Sequence, residues 1–245
     1  MNIKKKIEDI FDIGVEPAVS IVSGMFLDGV VGTVVPGVTS AVMAYKQKRS
    51  EKMVEKFMIE TKNRQDEFED KLLELDEKNV AEITSKYFGL VMDYVVDNRQ
   101  DEKIEYIVNG FINLTSMDKL QEDVIIIFYD LLDELNLLDL RVLKLYDFFS
   151  SGENYTDIIK SANITYDQYN LIRNKLERTG LIEGVADSKY EEMFDNVKNM
   201  GEFLKALEGG KKAKLKFKKP GYVNLNSKKL TKLGSEFLNF FSKNQ

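Results

Sequence analysis

The sequence contains no cysteine and no histidine. Without cysteine there is no disulfide, no thiolate nucleophile and no thiolate metal site. Without histidine, the usual general base and the commonest transition-metal ligand of proteins are also missing. These absences exclude Ser-His-Asp and Cys-His hydrolases and the HExxH zinc proteases. Carboxylates, lysine and tyrosine remain as the groups that could carry chemistry.

The sequence also lacks the short motifs that bind phosphates or calcium. It contains no GxxxxGK[ST] or GxGxxG segment, and its acidic clusters at 66–70, 101–102 and 122–123 do not have the spacing of a calcium loop. These acids are expected to lie on solvent-facing helix surfaces. We therefore expect a protein that is not an enzyme, with no catalytic residue, no cofactor and no metal site.

Composition predicts a folded protein with unevenly distributed charge. With 245 residues, 43% of them hydrophobic and 31% charged, the chain is long enough to bury a sizeable core. The net charge of −6 argues against a protein that wraps nucleic acid over its whole surface. Between Lys205 and Lys232, however, ten lysines face a single acid, Glu208. An anionic partner is therefore expected to contact this C-terminal part.

The stretch from Gly14 to Tyr45 is the least polar part of the chain. It carries only Glu16 and Asp28 as charges, and it contains five of the fifteen glycines and two of the three prolines. Seventeen uncharged residues separate Asp28 from Lys46, whereas a bilayer core of about 30 Å needs roughly 20 residues of helix. Pro36 interrupts this run because it lacks an N–H group. Two short helices are therefore expected rather than one straight span.

Small residues in this stretch are spaced so that helices can approach closely, in protein or in lipid. The predicted contact positions are Ser20, Gly24, Gly29, Gly32, Pro36 and Gly37. Lys46, Lys48 and Arg49 follow as a basic flank, as they would at an anionic membrane surface. Burial with self-association into a homo-oligomer and contact with a membrane surface both remain open.

The location of the protein is predicted from the same features. Acids at positions 8, 9 and 12 interrupt any apolar run after the lysines at 4–6, so no cleaved signal peptide is expected. The lack of cysteine fits a reducing interior. We expect a cytoplasmic protein, with the inner membrane surface as a second location.

The middle of the chain is predicted to be helical. From Ser50 to about Asn98 there is no proline, and apolar residues recur at spacings near three and four. This pattern predicts one long amphipathic helix, or two in line, with coiled-coil-like packing. Further buried helices are expected over 102–117 and from 118 onward. Residues 1–49 are thus expected to form the apolar glycine-rich helical segment, and residues 50–136 a helical bundle or stalk.

Residues 137–245 are predicted to form a winged-helix-like domain. Three helices are expected, the third beginning with a capping box at Thr165 and Gln168. A strand candidate at 181–185 follows, then an inserted helix near 188–207. Apolar and polar residues alternate on both sides of Pro220 and Gly221, which predicts a β-hairpin over 213–226, and a last helix is expected from Leu230. The fold class is therefore mainly α, with a small β-hairpin.

The third helix and the hairpin supply the candidate partner-binding residues. Glutamine, asparagine and arginine can pair with base edges, and lysines on a wing suit phosphates. The candidates are Gln168, Asn170, Arg173, Asn174, Lys214, Lys216, Lys218 and Lys219. Asp167 and Glu177 on the same helix would repel a DNA backbone, and many winged helices dock proteins instead. DNA and a protein of phage or host therefore remain alternative partners.

Several segments together resemble a known family. They are EPAVSIVSG (16–24), VVPGVTSAVMAY (34–45), IVNGFINLTSM (107–117), LDLRVLKLYDFF (138–149) and LTKLGSEFLNFF (230–241). Their order is similar to that of the abortive-infection alpha proteins, a bacterial and phage group linked to antiviral defence. The resemblance implies a setting in phage–host conflict and brings no active-site residue with it.

Two functions are expected from these observations. The first is a non-catalytic phage-defence protein that acts through self-association or membrane contact of its N-terminal glycine-rich helices, with the winged helix sensing a partner. The alternative is a DNA-binding transcriptional regulator of winged-helix type.

Overall fold

The computed structural model describes residues 38–117, 121–147, 152–185, 187–210, 214–217 and 227–243. The described chain is mainly helical, with one short antiparallel pair of strands. It divides into two compact units, Met1–Leu137 with Phe237–Gln245, and Leu138–Glu236. Outside the described residues lie the predicted contact positions Ser20, Gly24, Gly29, Gly32, Pro36 and Gly37, and also Lys218 and Lys219.

The first unit is a helical bundle. Its elements are α1 (Val38–Lys62), α2 (Gln65–Leu73), α3 (Glu77–Ala81), a π-helical turn (Glu82–Tyr87), α4 (Phe88–Asp97), α5 (Lys103–Asn113), a 3-10 turn (Leu114–Ser116) and α6 (Glu122–Glu134). Helix α1 packs against both α4 and α5. The predicted boundary after residue 49 falls inside α1.

The prediction of one or two in-line helices over 50–98 is wrong, because the chain breaks twice. It leaves the helix after Lys62 and again after Leu73. The second break is set by Asp76, whose Oδ1 accepts the backbone N–H of Asn79 at 2.7 Å and starts α3. These breaks let the chain fold back on α1 instead of extending as a stalk.

Helix α5 lies at the centre of this unit. Every residue from Ile107 to Asn113 is buried. The ring centroid of Phe111 lies 5.9 Å from that of Phe57 and 5.0 Å from that of Phe68. Aromatic rings at these distances add to the free energy gained from burying their surface, so α5 joins α1 and α2 through one aromatic cluster.

The second half of the last helix completes the first unit. Two buried amide side chains of α5 donate hydrogen bonds to the C-terminal carbonyls of that last helix. Asn109 Nδ2 donates to the Phe241 carbonyl at 3.0 Å, and Asn113 Nδ2 donates to the Phe240 and Ser242 carbonyls, both at 2.9 Å. The last carbonyls of a helix have no partner within it, so these amides satisfy groups that would otherwise be buried without one.

The second unit contains three helices before its first strand. Its elements are α7 (Leu137–Lys144), α8 (Tyr155–Ser161), α9 (Tyr166–Arg178), β1 (Ile182–Gly184), α10 (Asp187–Glu208), β2 (Lys228–Leu230) and α11 (Lys232–Phe241). Leu137 and the residues from Phe237 onward belong to the first unit. The predicted capping box, the strand near 181–185 and the inserted helix are confirmed.

The strand pair differs from the predicted hairpin. Strand β1 pairs with β2, with Ile182 opposite Leu230 and Gly184 opposite Lys228. Residues 214–217, predicted to lie in a strand, are not in one, and Leu215 and Phe217 are exposed. Alternation stabilises a strand only when one face is buried, so the pattern alone was insufficient. The last helix begins at Lys232 rather than Leu230.

Gly110 allows the last helix to approach α5. A Cβ at this position would lie 2.6 Å from Cε1 of Phe241 and 2.8 Å from the Tyr129 hydroxyl oxygen. We expect Gly110→Ala to lower the free energy of unfolding by about 1–3 kcal/mol through overpacking, measured by urea denaturation with circular dichroism. Gly89→Ala in α4, where nothing lies within 4 Å, is the control and should stabilise by up to about 1 kcal/mol. Equal midpoints for the two variants would contradict the close approach.

Glu67 gives the first unit a pH-dependent stabilisation. Arg64 donates to both carboxylate oxygens of Glu67, at 2.8 and 2.9 Å, and Lys71 donates at 3.0 Å. The hydrogen bonds from Arg64 are the main reason that the pKa of Glu67 falls from 4.5 to about 2. A carboxyl with a lowered folded pKa stabilises above its unfolded pKa and loses this effect as pH falls through the folded value.

We expect Glu67→Gln to cost about 1 kcal/mol of unfolding free energy at neutral pH, a figure reduced for partial solvent exposure. The difference from the unsubstituted protein should shrink as the pH falls from 4.5 to about 2. Denaturation series over this range measure it, with Glu74→Gln, an exposed glutamate beside α2, as control. A deficit that persists unchanged at low pH would refute the role of the charge.

Candidate functional site

The candidate residues on α9 are largely engaged within their own unit. Gln168 Oε1 accepts the backbone N–H of Thr165 at 2.8 Å in the capping box. Arg173 donates to the Tyr146 hydroxyl at 2.9 Å and to Asn170 Oδ1 at 3.1 Å. Asn174 is exposed. These bonds leave Gln168 and Arg173 with fewer donors and acceptors for base edges, because each existing bond would have to break before the group could pair with a base.

Arg173 also lies over an aromatic ring. Its guanidinium carbon is 5.9 Å from the ring centroid of Tyr169, a cation–π distance. Burial raises the pKa of Tyr169, so this ring stays neutral at all physiological pH values. Tyr169 and Asn170 belong to α9 itself, whereas the bond to Tyr146 connects Arg173 to the segment after α7.

The two described lysines of the predicted wing lie beside α10. Lys214 and Lys216 are exposed, and they line a shallow depression of about 210 Å3 together with Glu202 and Phe203 of that helix. The structure therefore brings these lysines together with the inserted helix. They remain available to an anionic partner.

Helix α10 presents an exposed row of apolar side chains, here called the apolar stripe. It consists of Met193, Val197, Met200, Leu204 and Leu207, with Phe194 beside it, and their exposed fractions lie between 45% and 75%. The spacing of the stripe alternates between four and three residues. This is the spacing that forms the contact line of a coiled coil.

The other faces of α10 have different environments. Asn196 is buried and Phe203 is half-buried, so one face contacts the helix's own unit. A second face carries Asp195, Lys198, Glu202 and Lys205, in which acids and bases alternate at spacings of three and four. The apolar stripe lies on neither face. A contiguous exposed apolar patch on a folded domain is typical of an interaction surface.

A polar cleft of about 790 Å3 lies in the first unit. Its charged lining residues are Lys46, Arg49, Arg99 and Lys103, and Asp97, Asp133 and Glu134. They come from the middle of α1, from the end of α4 through the loop to the first residue of α5, and from the end of α6. Of these features, only the basic flank of α1 was identified from the sequence. The cleft was not predicted, because no sequence spacing indicates that these three distant segments come together.

Hydrogen bonds fix the wall of the polar cleft. Asn98 Nδ2 donates to the Gln100 carbonyl at 2.9 Å, and Gln100 Oε1 accepts the Leu137 N–H at 3.1 Å. Ser50 Oγ donates to the Val96 carbonyl at 2.8 Å. Lys52 pairs with Asp101, which raises the pKa of Lys52. The end of α4 and the loop that follows it are thus tied to α1 by Ser50 and Lys52, and to the start of α7 by Gln100.

Within the residues that the structure describes, no three or more acidic side chains come together where they could hold a metal ion. None of the helices described combines the length and apolarity required to cross a bilayer.

The bonding of Arg173 predicts a structural role that a matched arginine does not share. Arg173→Gln should lower the free energy of unfolding by about 1–2 kcal/mol, since hydrogen bonds from a charged group are lost. Arg178→Gln, an exposed arginine at the end of the same helix, should change it far less. Thermal and urea denaturation of both variants provide the comparison. If both variants were fully stable and both lost DNA binding, α9 would be a recognition helix instead.

No family model, curated protein or solved structure matches this chain. The resemblance to abortive-infection alpha proteins therefore stays a prediction drawn from the sequence segments.

Proposed function

We propose that this chain is a non-catalytic protein of antiviral defence that acts by self-association, with the apolar stripe of α10 as a contact surface. The exposure of the stripe carries the proposal. Large apolar side chains such as Phe194 and Val197, 75% and 61% exposed, gain free energy when another surface removes them from water. The predicted contacts of the N-terminal glycine-rich stretch would add a second surface, to protein or to membrane.

A second copy of the chain fits the stripe better than an unrelated partner. Two identical stripes related by a two-fold axis are self-complementary, which is the commonest geometry of homo-oligomers. The alternation of four and three residues from Met193 to Leu207 lets each side chain insert between those of a facing helix. Helix α10 spans 22 residues, or about three heptads.

The polar side of α10 favours a protein partner over a lipid surface. Helices that lie on membranes usually have a polar face rich in lysine and arginine. Here Asp195 and Glu202 balance Lys198 and Lys205. Such a mixed face suits a helix whose opposite side contacts another helix.

We further infer that the second unit is of winged-helix type and serves as the partner-sensing module. The order of α7, α8 and α9 followed by β1, with β2 as its antiparallel partner, supports this. The inserted α10 would then be an added element that turns the module into an association surface.

The apolar stripe predicts that charge placed on it prevents self-association. We expect light scattering to give an oligomer for the unsubstituted chain and a smaller species for Val197→Glu with Leu204→Glu. Lys198→Glu with Lys205→Glu changes charge on the solvated face of the same helix and should leave the oligomer intact. In infected cells, protection against phage should follow the oligomer across the three proteins.

Two results would contradict the proposal. One is an unsubstituted chain that is monomeric at micromolar concentration. The other is salt-sensitive binding to duplex DNA that Lys214→Glu with Lys216→Glu abolishes while the stripe variant retains it, which would favour the transcriptional regulator.

A further inference from the structure

We propose that the polar cleft of the first unit binds a small phosphate ester whose remaining part carries hydroxyl groups. The cleft volume of about 790 Å3 falls within the range of ligand sites, roughly 300–1,000 Å3. Most ligand sites are lined mainly by apolar side chains, whereas this one is lined by charged and amide side chains. Its ligand should therefore be polar over most of its surface.

Arg49 identifies the anionic part of the ligand. Its Nε is completely buried and has no hydrogen-bond partner. A buried donor without an acceptor is unfavourable, and a guanidinium donor most of all. Arg49 lines the cleft, so a rotation of its side chain that turns the guanidinium toward an anionic oxygen there would give this N–H an acceptor in a charge-assisted bond.

Other cations surround the same space. Lys46 and Arg99 line it, and both are exposed. Lys103 is only 4% exposed, and its Nζ donates to the Asp133 carbonyl at 3.2 Å. With Arg49, these side chains place four positive charges on one cleft. A phosphate carries enough acceptor oxygens to contact several of them at once.

The acids limit which phosphates fit. Asp97, Asp133 and Glu134 also line the cleft, and their carboxylates would repel a second phosphate or a nucleic-acid backbone. Carboxylates accept hydrogen bonds from hydroxyl groups. The lining therefore fits one phosphate attached to a polyol better than a polyanion.

The cleft is prepared for a ligand because its wall is already bonded. The side chains of Asn98, Gln100 and Ser50 already form hydrogen bonds with other groups of the protein. The loop that carries Arg99 is therefore held in place before a ligand arrives. Preorganisation of this kind reduces the entropy lost on binding.

The same ligand chemistry has two sources. A glycerol phosphate group occurs in soluble polyol phosphates and in the headgroup of phosphatidylglycerol. Lys46 directly follows the apolar stretch that ends at Tyr45, and Arg49 lies one helical turn further. If that stretch contacted lipid, these two cations would lie at the level of the headgroups. The probes must therefore be compared.

The experiment uses the full chain and two probes. Glycerol 3-phosphate is titrated calorimetrically, and vesicles of phosphatidylcholine with one quarter phosphatidylglycerol are sedimented with the protein, against pure phosphatidylcholine vesicles. We expect one of the two probes to bind, and Arg49→Gln to weaken that binding by tenfold or more. Lys48→Gln, an exposed neighbour on α1 that does not line the cleft, should bind as the unsubstituted chain does.

Melting temperatures show whether a loss of binding comes from unfolding of the variant or from the loss of the Arg49 guanidinium. Because Arg49 Nε lacks a partner, Arg49→Gln should melt at the same temperature as the unsubstituted chain, or higher. Arg99→Gln, at an exposed position, is a second variant that should also weaken binding. Binding of glycerol 3-phosphate would identify a soluble ligand, and binding of the vesicles alone would identify the lipid headgroup. Failure of both probes to bind, or equal binding by Arg49→Gln and Lys48→Gln, would overturn the proposal, and neither result bears on self-association through α10.

Discussion

The first unit depends on two buried amides that bind the end of the last helix. Asn109 and Asn113 lie one turn apart on α5 and donate to three successive carbonyl groups, those of Phe240, Phe241 and Ser242. Buried amides and buried helix ends are each unfavourable alone, and here each satisfies the other. This anchorage places the aromatic rings of α11 against α6. The ring centroid of Phe241 lies 5.3 Å from that of Tyr129, and the ring centroid of Phe240 lies 5.2 Å from that of Phe128.

Local signals in the sequence predicted the elements whose causes are local. The capping box of α9 and the inserted helix α10 each depend on a few neighbouring residues, and both were located correctly. Strand β1 was also located from its own residues, but its partner β2 was not, because that pairing joins distant segments. The breaks between α1, α2 and α3 were missed, because helix-forming residues run through them without proline or glycine. Asp76 caps the helix after the second break, but within a highly charged segment an aspartate does not by itself distinguish an N-cap from a solvent-facing helix residue.

Features that depend on distant segments could not be predicted. The polar cleft joins residues near 46–50, 97–103 and 133–136, and its charges read separately as solvated helix surface. The apolar stripe of α10 shows a second limit. Residues at spacings of three and four predict an amphipathic helix whether their apolar side is buried in the same chain or left for another one. Only the surroundings of Met193 and Leu204 distinguish the two cases.

The order in which the chain is made has a consequence for the discontinuous first unit. Domains usually fold in sequence as they leave the ribosome. Here residues 138–236 form a unit of their own, and Phe237–Gln245 must emerge before the earlier unit has all its parts. The later unit can thus be complete while Tyr129 and Phe128 still lack their aromatic contacts with Phe240 and Phe241. A nascent chain stalled before Phe237 would expose that unfinished aromatic surface to chaperones.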